Sequence, residues 1–388
     1  MRRLPVTLLL SMILALAFSL PARGEAPERM FEAVEAALGG EQIANLEDID
    51  RYLNSEAGFS GFSFSQMVRL LLEGRGKEAG RLILDIFREG LFGEISRGGK
   101  MVGQLLMLGL LGAVFANFSQ IFSGGQMAET GFFMTYLMAF TLLAASFSES
   151  ASLAGDVLSR QVNFMKVLMP AYAAAAVWAG AGMASAAWYE VVMLIIGGVQ
   201  WLYLHLLLPG VRVYLLLVLA DHMVKEDMLS KLTEALRSGI SWGMKSLLGL
   251  VLGFQLIQGM VLPYADAVKT TGIQKLLQVI PGVGTGAGVV AKMVLGSGVL
   301  IKNTIGASAV VVLIIISLIP IVKLAVLFLC CRGAAAVLEP VADKRLVACI
   351  SSVADSQKML LGLVTAGLLL FAVTIALICL GTNAAYLA

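Results

Sequence analysis

From residue 101 onward, seven stretches of this chain run for nineteen residues or more without an Asp, Glu, Lys or Arg: 101–128, 130–148, 167–189, 191–211, 246–265, 303–322 and 359–388. A helix needs about twenty apolar residues to cross the hydrocarbon core of a bilayer. There, every backbone N–H and C=O must find its partner within the protein, which favours helices over open strands. Two of the runs continue past a single charge, from Arg212 to Ala220 and from Lys323 to Cys331. Only 14% of the residues are charged, against about 25% in ordinary soluble domains. The pattern predicts an all-α polytopic membrane helix bundle with about seven spans.

The same composition excludes several chemistries. A net charge of +2 is too small to point to nucleic acid. His205 and His222 are the only histidines, so His-dependent triads and metal sites have little to work with. Cys330, Cys331, Cys349 and Cys379 follow no zinc or redox spacing and read as small apolar helix fillers. No Gly-Lys-Ser/Thr phosphate loop and no His-Glu-x-x-His occurs. The expectation is a protein with no cofactor and no enzymatic activity.

Residues 1–24 read as a signal peptide: Arg2-Arg3, an apolar run from Leu4 to Leu20, and Ala22-Arg23-Gly24 as a small-x-small cleavage site. Residues 25–100 hold fourteen of the twenty-six acidic residues and form the expected extracytoplasmic helical region. Phe31, Val34 and Leu38, then Met67, Leu70 and Leu71, recur at helical spacing. A core of this size is marginal alone, so these greasy faces want either a partner or a cap-like fold of their own. Residues 101–388 form the transmembrane domain. Leu229, Leu232, Leu236 and Ile240, and later Leu346, Ile350 and Val353, mark amphipathic connectors of the kind that lie along a membrane interface. Counting seven simple crossings puts ten Lys and Arg of loops 149–166, 221–245 and 332–358 on the same side as residues 25–100. That opposes the positive-inside tendency, unless one early stretch is re-entrant or interfacial.

From Gln278 to Gly306 the chain holds seven glycines, Pro281, and two lysines as its only charges. Gly282-x-Gly284-x-x-Ala287 fits a dinucleotide fingerprint in form only. That fingerprint requires a preceding strand and an acidic residue about twenty positions on. Residues 271–279 read as helix, and no Asp or Glu occurs between Asp266 and Glu339. The stretch reads instead as a broken helix or re-entrant hairpin inside the bundle. The candidate functional and packing residues are Pro281, Gly282, Gly284, Gly296, Lys302, Asn303 and Gly306. Proline interrupts the helical ladder, glycines admit a close neighbour, and Lys302 with Asn303 would line a polar path. Glu190, Arg212, Lys292 and Lys323 are further charges at membrane depth, of which Arg212 and Lys323 read as snorkelling to the interface.

The run Ile280-Pro281 … Gly284 … Val294-Leu295-Gly296 … Ile301-Lys302-Asn303 … Ile305-Gly306 resembles the signature region of the stage III sporulation protein AE family. Asp266 with Lys269, Pro320 with Lys323, and Ala334-Ala335 … Leu338 … Pro340 … Asp343 are similar as well. The resemblance implies a membrane component of the channel or secretion-like complex that joins mother cell and forespore during endospore formation. It implies a multi-pass protein of the mother-cell membrane surrounding the forespore. Its implied partners are other stage III A proteins, including the AA ATPase and the ring-forming AG and AH, and stage II sporulation protein Q. The alternative is a secondary transporter with its own substrate site in the glycine-rich broken helix. Two related halves would favour that reading, and residues 101–240 hold no matching copy of the stretch.

Overall fold

The computed structural model describes residues 49–51, 63–72, 75–121, 125–178, 183–222, 229–277 and 286–387. All of its elements are helical, as the apolar runs predict. In chain order they are α1 (Phe64–Leu72), α2 (Gly76–Ile121), α3 (Gly125–Trp178), α4 (Met183–Leu202), a π turn (Tyr203–Leu207), α5 (Leu208–Asp221), α6 (Ser230–Leu277), α7 (Gly286–Leu338) and α8 (Lys344–Leu387). Proline at 209 explains the π turn: it has no N–H to offer the carbonyl four residues back, so the ladder widens by one residue instead of breaking. The signal-like residues 1–24, together with Pro281, Gly282 and Gly284, lie outside the described residues.

Five helical segments among the described residues are long and apolar enough to cross a membrane: Phe133–Ala175, Val191–Asp221, Ser230–Ile257, Lys302–Leu338 and Lys344–Cys379. Gly98–Val114 is a shorter apolar helix. Two of the seven stretches share one helix. Stretch 130–148 and residues 167–178 of the next both belong to α3, a single rod of 54 residues and so about 80 Å. The charges between them do not interrupt a helix, because charged side chains can leave its side. Glu149, largely exposed, meets Lys323 of α7 at 2.6 Å. Lys323 is therefore ion-paired and not merely snorkelling. The connectors at 229–240 and 346–353 are likewise the opening turns of α6 and α8. Leu346, Ile350 and Val353 are buried in the bundle, so that stripe faces neighbouring helices and not a membrane surface; of the first stripe Ile240 is buried and Leu232 is exposed.

Close approaches fix the directions. A Cβ added at Gly98 would lie 2.7 Å from Cys330 Sγ and 3.1 Å from Val326 Cγ1, and one added at Gly109 would overlap Leu338. Hence α2 runs parallel to α7. It runs antiparallel to α3, since Ser146 donates to Met101 Sδ at 3.4 Å while Gly112 faces Thr135. The bundle end that holds the α7–α8 turn also holds the α5–α6 connection, where the Leu229 N–H donates to Asp221 at 2.8 Å. Tyr136 donates to the Leu219 carbonyl there, at 2.6 Å. The start of α2 lies at the other end. Arg332, Lys344 and Arg345, with Lys231 at the start of α6, therefore sit at the bundle end opposite the start of α2. The conflict with the positive-inside tendency came from counting α3 as two crossings.

The expected boundary at residue 100 falls inside α2, so residues 76–100 are joined to the bundle without a break. Ile49, Phe64, Met67, Val68 and Leu71 are buried, and Phe64 meets Phe164 of α3 edge-on at 6.4 Å. Asp50 fastens α1 at its N-terminus. Its carboxylate accepts from Ser63 Oγ at 3.0 Å, from Ser65 Oγ at 2.5 Å and from the Phe64 N–H. Free N–H groups and the positive end of the helix dipole make that position favourable for an anion. The apolar stripe of α1 is thus used on the chain's own bundle.

Candidate functional site

Residues 286–306 form the opening turns of α7 and continue unbroken into its apolar span. No hairpin or break falls between Gly286 and Gly306, so Gly296 lies within regular helix. Each glycine there costs about 1 kcal/mol relative to alanine in an exposed helix. Continuation into a packed span offsets that cost. At Gly306 the space it leaves is used. An added Cβ would overlap Cys379 Sγ of α8 and come within 3.4 Å of Tyr172 on α3 and of Ile375 on α8. Three helices converge at that residue because it has no side chain.

One turn earlier stands Lys302, fully buried. Its Nζ has no hydrogen-bond partner among the described residues. Asn303 beside it is half-buried. The structure therefore brings together Lys302, Asn303 and Gly306, at the crossing of α7 with α3 and α8. Neither α7 nor the flanking parts of α3 and α8, residues 157–178 and 356–387, contains an Asp or Glu. A cation enclosed without a counter-charge is costly, and residues that carry such a cost are usually retained for function.

A second set of polar groups was not singled out by the sequence reading. Ser150, Gln161 and Tyr172 recur every eleven residues along α3, three helical turns apart, and so share one face. Each meets a polar group on α7 or α8. Gln357 donates to Ser150 at 2.9 Å, Gln161 donates to Ser317 at 2.8 Å, and the Tyr172 hydroxyl lies 3.4 Å from Cys379 Sγ. On another side of α8, Gln255 of α6 donates to Thr374 at 2.5 Å. Isolated polar residues among apolar ones give no helical-face signal of their own, but their spacing was there to be read. Inside a bilayer such pairs hold helices in register, since either partner alone would face hydrocarbon.

The histidines are used locally. His205 stacks on Trp201 at 5.0 Å, and His222 Nδ1 lies 2.6 Å from the Val218 carbonyl. Among the described residues no cluster of three His, Cys, Asp or Glu could hold a metal ion. Cys331 and Cys349 are buried free thiols.

A family model described as Stage III sporulation protein AE matches residues 62–382. The chain belongs to that family. Among curated proteins it is similar to the Stage III sporulation protein AE of Bacillus subtilis (strain 168), 21% identical over 267 residues, which cover 69% of this chain and 67% of the relative. No solved structure matches. The region matched to the Stage III sporulation protein AE family begins just before α1 and ends within α8. It takes in α3 with its polar face, the whole glycine-rich stretch and Lys302.

Proposed function

We propose that this protein is a non-enzymatic membrane component of the mother cell–forespore channel or secretion-like complex required for endospore formation. The family match over residues 62–382 carries this reading. The five apolar helices support residence in a membrane, here the mother-cell membrane surrounding the forespore. Its partners in this reading are other stage III A proteins, among them the AA ATPase and the ring-forming AG and AH, with stage II sporulation protein Q. Exposed Met107, Leu110, Leu111 and Val114 on α2, with Phe133, Met134 and Met138 on α3, form a broad apolar face that suits lipid or a neighbouring subunit. Purification from sporulating cells tests the assignment: the stage III A proteins should accompany this chain, and their absence from an otherwise intact preparation would overturn it.

The same proposal orients the bundle. Placing Arg332, Lys344 and Arg345 in the mother-cell cytoplasm satisfies the positive-inside tendency and puts the start of α2 on the far side. The N-terminal region, residues 25–100, is then assigned to the side facing the space between the two membranes. A single cysteine at Ser55, in a variant lacking the four native cysteines and expressed in vegetative cells, where this side of the membrane faces outward, should react with a membrane-impermeant thiol reagent in intact cells. Protection there, with labelling only after lysis, would reverse the orientation.

A further inference from the structure

A fully buried polar cluster lies where α3, α4, α7 and α8 meet, away from Lys302. Gln161 of α3, Gln200 of α4 and Ser317 of α7 are each fully buried. Ser317 accepts from Gln161 Nε2 at 2.8 Å and donates to the Leu313 carbonyl at 2.7 Å. Three amide atoms remain without a hydrogen-bond partner: Gln161 Oε1, Gln200 Oε1 and Gln200 Nε2. Two of them, an acceptor and a donor, point at one place on α8. A Cβ built on Gly367 would stand 2.6 Å from Gln161 Oε1 and 2.9 Å from Gln200 Nε2, so these heads are no more than about 5.5 Å apart. They share no hydrogen bond with each other.

We infer that Gln161, Gln200 and Ser317 hold a bound water beside Gly367, at the centre of the bundle. An acceptor and a donor that do not bond each other, yet lie close enough to reach one oxygen between them, are the usual partners of a bridging water. Buried waters gather where otherwise unsatisfied polar groups converge, each making two to four hydrogen bonds. Gln161 Oε1 would accept from the water and Gln200 Nε2 would donate to it. Having no side chain, Gly367 lets both amide heads and Leu158 Cδ2 crowd against α8, and an alanine there would push the two heads away from a shared oxygen. The site is uncharged, so its ligand is neutral. Two further open oxygens, Gln357 Oε1 and Gln255 Oε1, also lie beside α8.

Water-edited solid-state NMR of the full-length protein in bilayers, with its glutamine side chains labelled by nitrogen-15, tests the inference directly. Loss of one signal in Gln161→Leu and of another in Gln200→Leu assigns the two amides. If a leucine variant does not accumulate, the asparagine variant keeps the amide, moves its shift and assigns the same signal. The expected result is that both amides receive magnetisation from water as early as exposed Gln66 does. The Gly367→Ala variant should lose that transfer while keeping both signals. If both amides stay dark until magnetisation has spread through the protein, the site is dry and the inference fails. This outcome is independent of sporulation, so it stands or falls apart from the proposed function.

Discussion

Gly306→Leu is expected to remove this protein from the membrane almost completely, whereas Gly306→Ala lowers its stability without removing it. At this position α7 touches α8 and α3 closely enough that even one added carbon overlaps Cys379 Sγ and presses on Tyr172 and Ile375. Extra methylenes in a well-packed core typically cost about 1–3 kcal/mol, a large share of a typical net stability of about 5–15 kcal/mol. Leucine adds four carbons where there is no room for one, so α7 and α8 would have to separate. Alanine asks only that the Cys379 thiol move aside. The crowded atom is identified, and the prediction can therefore be cross-checked. Cys379→Ala removes Sγ and should restore most of the thermal stability lost in Gly306→Ala, measured as Tm in detergent. If the double variant melts no higher than Gly306→Ala alone, the crowding lies elsewhere. Membrane abundance by immunoblot reads the leucine variant, and an amount equal to the parent's would show that the three helices do not meet as described.

What could be read from the residues, and what could not, follows from the kind of signal involved. Apolar runs such as 303–322 and 359–388 announce helices because nothing else satisfies the backbone in hydrocarbon, and both became the cores of α7 and α8. The number of helices was less legible. Glu149, Asp156, Arg160 and Lys166 look like a loop between two spans, yet helix continuity depends on backbone geometry and not on charge. Only tertiary partners such as Lys323 show where those charges go. The same limit applies to Leu346, Ile350 and Val353. An amphipathic stripe declares that one face is buried, but not whether lipid or protein covers it. In the glycine-rich stretch, the sequence pointed to close packing and the structure places it at Gly306. It also suggested an irregular backbone, and the described residues from Gly286 onward are regular helix.

The eleven-residue spacing of Ser150, Gln161 and Tyr172 marks a different kind of limit. Three polar residues in a helix of 54 look like scatter unless the period is sought. Their importance comes from partners far along the chain: Gln357 is 207 residues from Ser150, and Ser317 is 156 from Gln161. Long-range pairs of this sort fix which helix lies against which. Apolar contacts do this poorly inside a membrane, because lipid chains compete equally well for apolar surface. The polar face of α3 is therefore one part of the sequence that ties α7 and α8 to it.

Lys302→Met should separate stability from function in the opposite sense to Gly306→Leu. The lysine is fully buried, and its Nζ meets no acceptor among the described residues. Enclosing an ion without a partner costs several kcal/mol even after relaxation. Methionine keeps an unbranched chain of similar reach and gives up the charge, so the variant should melt above the parent. Each 1 kcal/mol recovered raises Tm by about 2–4 °C in domains of 150–250 residues, and by less in a chain of this length. Membrane abundance should match or exceed the parent's. Spore yield, in contrast, should fall to that of a strain lacking the gene, because a charge retained at such a cost is retained for what it does. Lys302→Arg keeps the charge but spreads it over a planar group with a different reach, and should sporulate between the two. If Lys302→Met melts higher and sporulates like the parent, the ammonium has no task in the complex. If it melts lower, the lysine has a partner that stabilises it, and the enclosed charge is structural.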